Sequence, residues 1–227
     1  MFAAFLSTLC GTLLSVCITA LAAFAVTLIF KTSTTTNFAQ GSIAALGCYV
    51  TADMLNKYGV PVYIGVFIGM AVGVVVGLLI DIVIFRNGKN VNAVGKQIIT
   101  MGIVSIILGG IPLIFGTPES IPFEAFYNTQ KAGTPPNFVL PAFGGEVVVT
   151  KHALICLGIT VVVLGALFLL LKHSRWGLAV RSTASNEFTA ELMGINSHFI
   201  TAASWAIAGA LGVLAAVMYA GSGTKIS

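Results

Sequence analysis

Six runs of roughly 20 mostly apolar residues, parted by short polar interruptions, constrain this chain more than any single motif does. A run of that length spans the hydrocarbon core of a bilayer as one helix, and a helix satisfies its own backbone hydrogen bonds there. Charged residues make up only 8% of the chain and hydrophobic ones 57%, whereas soluble domains carry about 25% charge. Too little polar surface is left to cover six such runs in water. The chain therefore reads as an all-α integral membrane protein with about six transmembrane helices, a single transmembrane domain over residues 1–227, embedded in membrane lipid. A net charge of +4 gives no reason to expect a nucleic-acid partner. Cys10, Cys17, Cys48 and Cys156 all fall inside apolar runs without paired spacing and read as small core residues, not as disulfides or metal ligands.

The expected spans cover about residues 5–30, 37–55, 62–85, 97–115, 152–171 and 200–219. The first has no basic segment before it and is about twice as long as the apolar core of a signal peptide, so it is a span. Pro112 predicts a kink or an early end in the fourth. Residues 116–150 are polar and hold five of the seven prolines; within them FVLPAFGGEVVVT has two β-prone runs around Gly144-Gly145 that predict a hairpin.

Six spans put Lys31, Arg86, Lys89, Lys96, Lys172, Arg175 and Arg181 on one side and Lys57, Lys131 and Lys151 on the other. The richer side is cytoplasmic by the positive-inside rule. The N-terminus and the loop 116–150 then lie outside, and the loop 173–199 lies inside. In that inner loop Ser185 is placed to cap a short helix of about eight residues, Glu187 suits its first turn and Gly194 its end. Such a helix is too short to stand alone in water. It displays Phe188, Leu192, Met193 and Ile195, and that display calls for a partner at the membrane surface.

No catalytic constellation is present. Neither Gly88-Lys89 nor Gly95-Lys96 has the preceding glycine and following hydroxyl of a Walker A loop, so ATP hydrolysis by that route belongs elsewhere. No cofactor and no metal site is expected: His152, His173 and His198 stand far apart at span ends and read as interfacial histidines. Asp81 lies well inside the third span, where a carboxylate is costly. It reads either as half of a structural ion pair with Arg86 or as a transported-ion site, and the second role would need another buried polar partner, which the third span lacks. The second span carries Asn37, Gln40, Ser42 and Tyr49 on an otherwise apolar helix, with Gly41 and Gly47 small enough for close packing. The hydroxyl run from Thr32 to Thr36 before it predicts backbone that leaves the helix. A helix start of this kind can present amide donors to an anionic group; the alternative is a polar interfacial turn with no ligand.

NFAQG followed by IAALGCYV, together with SRWGLAVRSTASNEFTAELMGIN, resembles the permease subunits of branched-chain amino acid importers of the ATP-binding-cassette class, the LivH type. The resemblance implies a bacterial inner-membrane permease working with two ATP-binding subunits, a second permease subunit and an extracytoplasmic substrate-binding protein. It also implies that Phe188, Ala190, Leu192, Met193, Gly194 and Ile195 form the ATPase-coupling segment; Asn37, Gln40, Gly41 and Tyr49 of the second span are the expected lining of the translocation path. The importer signature opens with Glu-Ala-Ala where this chain has Phe188-Thr189-Ala190, and the proline expected after Arg86 is Asn87. Members of the family continue for about two more spans, so the chain reads as a C-terminally truncated member.

The leading expectation is a non-enzymatic transport subunit for branched-chain or similar small amino acids. Permeases for urea or short amides are the near alternative. A self-sufficient secondary transporter or channel is the distant one, and a membrane anchor without a pore is a third; neither of these two explains a short apolar helix in an inner loop.

Overall fold

The computed structural model describes residues 2–86, 91–116, 137–142 and 145–222. Its elements are α1 (Phe2–Ser33), α2 (Gln40–Tyr58), α3 (Val62–Leu79), which runs on as a π-helical segment Ile80–Phe85, α4 (Ala93–Phe115), β1 (Asn137–Ala142), β2 (Gly145–Thr150), α5 (Lys151–His173), α6 (Arg175–Ser185), α7 (Glu187–Leu192) and α8 (Ser197–Ala220). The chain is an all-α integral membrane protein apart from one hairpin.

Five helices are long and apolar enough to cross a membrane: α1 from Thr8, α3 with its π-helical segment, α4, α5 and α8. The sixth expected span is α2. Its 19 residues reach about 28 Å at 1.5 Å per residue. It is more polar than the others and buries Gln40, Ser42 and Thr51. Those groups are tolerable in a membrane because α2 packs against α3, α4 and α8 and meets protein on several sides.

The centre of the molecule is α8. Trp205, Ala208, Val213, Val217 and Met218 are at most 1% exposed, and the helix packs against α1, α2 and α3. Its closest partner is α3, whose buried glycines at a spacing of one helical turn divide between two neighbours: Gly65 and Gly69 lie against α2, Gly73 and Gly77 against α8. A methyl group at Gly73 would stand 2.7 Å from the Gly209 carbonyl oxygen, and one at Gly77 would stand 2.5 Å from that of Trp205. The two backbones approach this closely because nothing larger than hydrogen lies between them. Around this centre, α1 contributes Leu21, Ala25 and Ile29, all fully buried, and Tyr49 of α2 stacks on Phe115 of α4 at 5.8 Å.

Several local expectations are corrected. The early end allowed for at Pro112 does not occur: α4 continues through it to Phe115, with Gly116 at φ +81° as its cap, since a proline three residues from a helix end removes one hydrogen bond there without stopping the helix. The loop 173–199 holds two helices instead of one, because Ser174 caps α6 by accepting from the Gly177 N–H at 2.9 Å. His152, in the first turn of α5, is buried, its Nε2 lying 3.0 Å from the Met218 carbonyl oxygen. The hairpin forms where expected, pairing Asn137 with Thr150 through to Ala142 with Gly145 in antiparallel register. Residues 117–136, which include Lys131, residues 143–144, residues 87–90 with Asn87 and Lys89, and the residues after 222 lie outside the described residues.

Candidate functional site

Chain ends that are distant in sequence meet at one end of the bundle. Lys31, Lys172 and Arg181 line one groove. Beside it, a cavity of about 360 Å³ is lined by Thr32 and Ser33 at the end of α1 and Thr34 just after it, by Asp81 and Phe85 of the π-helical segment with Arg86 that follows, and by Lys96 from α4. Glu187 and Glu191 of α7 and His198, Thr201 and Trp205 of α8 complete its wall. Lys31, Arg86, Lys96, Lys172 and Arg181, which charge counting assigned to one side, therefore stand at one end.

Local geometry builds this cavity. The chain leaves α1 at Thr34, whose φ of +52° is rare for a residue with a β-branched side chain. Its hydroxyl donates to the Ser33 carbonyl at 2.8 Å, and Thr35 donates to the same oxygen at 2.9 Å. In the π-helical segment the Arg86 N–H reaches back five residues to the Asp81 carbonyl at 3.1 Å. π-Helical turns of this kind are frequent at functional sites. Asp81 is 3% exposed, and its Oδ2 stands 3.7 Å from Arg86 Nε. The Arg86 Nη2 donates to the His198 carbonyl at 3.3 Å, tying α3 to the first turn of α8. Phe85 packs on Trp205 with ring centres 5.1 Å apart.

Above the cavity sits α7, fixed at both ends. The cap is Asn186, not Ser185, which closes α6; the Asn186 Oδ1 accepts from the Thr189 N–H at 3.0 Å. Asn186 wins because its extended backbone aims the side chain back at the helix, whereas Ser185 is still helical. At the other end Gly194 has a φ of +83°. The Ile195 N–H reaches the Ala190 carbonyl at 3.0 Å and the Gly194 N–H that of Glu191 at 2.9 Å, a Schellman closure. Ser197 Oγ donates to Glu191 Oε1 in a close contact that joins α7 to α8. The result holds Ala190 buried and Ile195 half-buried while Phe188, Leu192 and Met193 are 71%, 72% and 81% exposed. Lipid-facing helices also expose apolar side chains; here the neighbours are Glu187, Glu191 and Asn196, which lie between the spans α5 and α8.

The residues of the second span are placed elsewhere. Asn37 Oδ1 accepts from the Ala39 N–H at 2.9 Å, and its Nδ2 donates to Gln40 Oε1 at 3.3 Å. Gln40 Nε2 donates to the Ala208 carbonyl of α8 at 2.7 Å. Asn37, Gln40 and Tyr49 are all buried, whereas Gly41 is exposed and a methyl group there would touch nothing. Gly47, by contrast, lies against Gly69 and Val213. Only Gly41 of the four thus faces open space, and it is not a packing glycine.

Sequence reasoning missed the glycine stripe of α3, although its four-residue spacing was there to find, and it missed Lys96, Thr201 and Trp205, which nothing in their local sequence marks. Among the described residues no cluster of histidines, cysteines and carboxylates is arranged to hold a metal ion.

A family model described as branched-chain amino acid transport system / permease component matches residues 8–227. The probable branched-chain amino acid transport permease protein LivH of Methanocaldococcus jannaschii is 29% identical over 194 residues, which is 84% of this chain and 58% of the relative. The chain thus spans little more than half the length of that protein. No solved structure matches. Since the family match runs through nearly all of α1 and every later helix, this multi-pass membrane chain belongs to the family of branched-chain amino acid transport permease components.

Proposed function

We propose that the chain is a permease subunit of an importer that moves branched-chain or similar small amino acids across the bacterial inner membrane, powered by ATP hydrolysis on separate subunits. The observation that carries this reading is the exposed trio Phe188, Leu192 and Met193 on a helix of six residues, capped at both ends. A helix this short gains no stability from its own length, so its caps serve to hold a fixed apolar knob outside the span ends. A groove on an ATP-binding subunit is the expected receiver, and Ala190, Gly194 and Ile195 set the knob's shape from behind. A self-sufficient carrier fits less well. Its ion site would fall to Asp81, the one buried carboxylate among the described residues, and that group already faces Arg86.

In this reading the α7 end faces the cytoplasm, the hairpin end faces outward with a substrate-binding protein, and a second permease subunit completes the pore. Closure of the ATP-binding subunits pushes α7, and Ser197–Glu191 and Arg86–His198 pass the displacement to α8 and α3 as rigid bodies. The open face of α2 at Gly41 is the proposed contribution to the path. Phe188→Asp, in the chain co-expressed with its ATP-binding subunits, is expected to abolish co-purification while membrane insertion continues. The loss corresponds to a hot spot of about 2 kcal/mol or more. Co-purification at the wild-type level sinks the coupling role of α7.

A further inference from the structure

The groove that holds Lys31, Lys172 and Arg181 plays no part in the import reading. Two helix faces make its walls. On α1, Phe24, Thr27, Leu28 and Lys31 recur at intervals of three and four residues and so share one stripe. On α5, Phe168, Leu171 and Lys172 do the same. Val180 and Arg181 of α6 close the end. Each stripe thus runs apolar through its span and finishes on a cation in the last helical turn. Thr27 turns its hydroxyl onto the Ala23 carbonyl at 2.7 Å, which leaves the cations as the groups free to recognise a ligand. No carboxylate lines the groove, and among the described residues Lys31, Lys172 and Arg181 enter no ion pair.

A cation in the last turn of a helix offsets the macrodipole, which accounts for Lys31 and Lys172 one at a time. It does not account for Arg181, which sits mid-helix in α6, nor for cations from three helices meeting over one apolar channel. Like charges gathered without a counter-charge repel each other, and an anion drawn between them relieves the repulsion. The channel below them is about 10 Å long, the rise from Phe24 to Lys31. Cations over such a channel fit a molecule with an anionic head and a hydrocarbon tail, and basic pockets between membrane helices hold lipid headgroups in this way. We propose that the groove binds one anionic phospholipid. Its phosphate is held by Lys31, Lys172 and Arg181, and an acyl chain lies along Phe24, Leu28 and Phe168. The chain enters from the bilayer, since Phe168 is 64% exposed on a helix that buries little of itself in the protein. The groove, of about 260 Å³, takes the head and the first part of one chain, and the remainder stays in the membrane. Bound there, the lipid ties α6, the helix that leads into α7, to α1 and α5.

The test is native mass spectrometry of the purified full chain in detergent, titrated with phosphatidylglycerol and with phosphatidylcholine of the same acyl chains. The expected result is one retained phosphatidylglycerol, held about tenfold or more tighter than phosphatidylcholine. Arg181→Gln is expected to weaken its retention about fivefold, and Lys31→Gln combined with Arg181→Gln about twentyfold or more, as removal of one and two charges. Lys31→Arg combined with Lys172→Arg keeps the charge and is expected to keep the lipid. Lys57→Gln removes a cation already paired with Asp53 at 2.7 Å and is expected to change nothing. Glycerol 3-phosphate in large excess is expected to leave the lipid in place, because it lacks the tail. The proposal is overturned by equal retention of the two lipids, or by wild-type retention in the Lys31→Gln, Arg181→Gln protein. Displacement by glycerol 3-phosphate overturns it too, reducing the groove to a phosphate site. A lipid-free dimer that is lost in Arg181→Gln gives the face to a second copy of the chain and likewise overturns it.

Discussion

Two helices of nearly equal length, α5 and α8, occupy opposite situations. α5 is the more apolar, yet only 11% of its most apolar stretch is buried, against 67% in α8. In water the greasier helix would be the inner one. In lipid it is the outer one, since tails of lipid are as apolar as leucine and give no reason to hide Val161, Val162 or Phe168. What draws α8 inward is the small size of Ala208, Gly209, Gly212 and Ala215, with a few polar groups that need partners. Dispersion contacts at close backbone approach, not exclusion of water, hold this centre together.

The sharpest break of that comparison is truncation of one large side chain on each helix. Trp205→Ala is expected to cost about 3–5 kcal/mol, while Phe168→Ala, at a side chain 64% exposed, is expected to stay within about 0.5 kcal/mol. Melting midpoints of the two variants in the same nanodisc decide it. Equal losses mean that burial inside the protein is not what α8 contributes. Next come the glycines. Gly209→Ala drives a methyl group into the Gly73 backbone and is expected to cost about 1–3 kcal/mol. Gly158→Ala on α5 meets nothing and should be neutral or stabilising by about 0.5 kcal/mol, the helix preference of alanine. A destabilised Gly158→Ala would place an unseen partner on α5.

The smallest effect is expected at Gln40→Leu. It removes the bond to the Ala208 carbonyl, and hydrogen bonds between membrane helices are worth about 0.6–1.7 kcal/mol. A lowered midpoint with normal uptake by the survivors makes Gln40 a clamp between α2 and α8. Lost uptake at an unchanged midpoint returns it to the translocation path.

Legibility in the sequence followed the reach of the interactions. Helix placement, the β-hairpin around Gly144 and the display on α7 depend on neighbours within a turn or two, and all were readable. The cap was misplaced by one residue because Ser185 and Asn186 both suit the position, and only backbone conformation chooses between them. The pairing of Gln40 with Ala208 joins residues 168 apart, beyond anything periodicity can show. The contact of His152 with Met218, 66 residues away, was hidden for the same reason.

By itself the sequence determined that this chain crosses a membrane, where its helices begin and end to within a few residues, and which basic residues share an end. Those properties follow from the length of apolar runs and from backbone hydrogen bonding, which are local. Only the tertiary structure decided that the last helix is the central one and that five separated segments enclose a charged cavity beneath α7. In a bilayer nearly every face of a helix is apolar, so hydrophobic pattern does not point inward. The choice falls to close fit between small residues and to the few polar groups that must find each other.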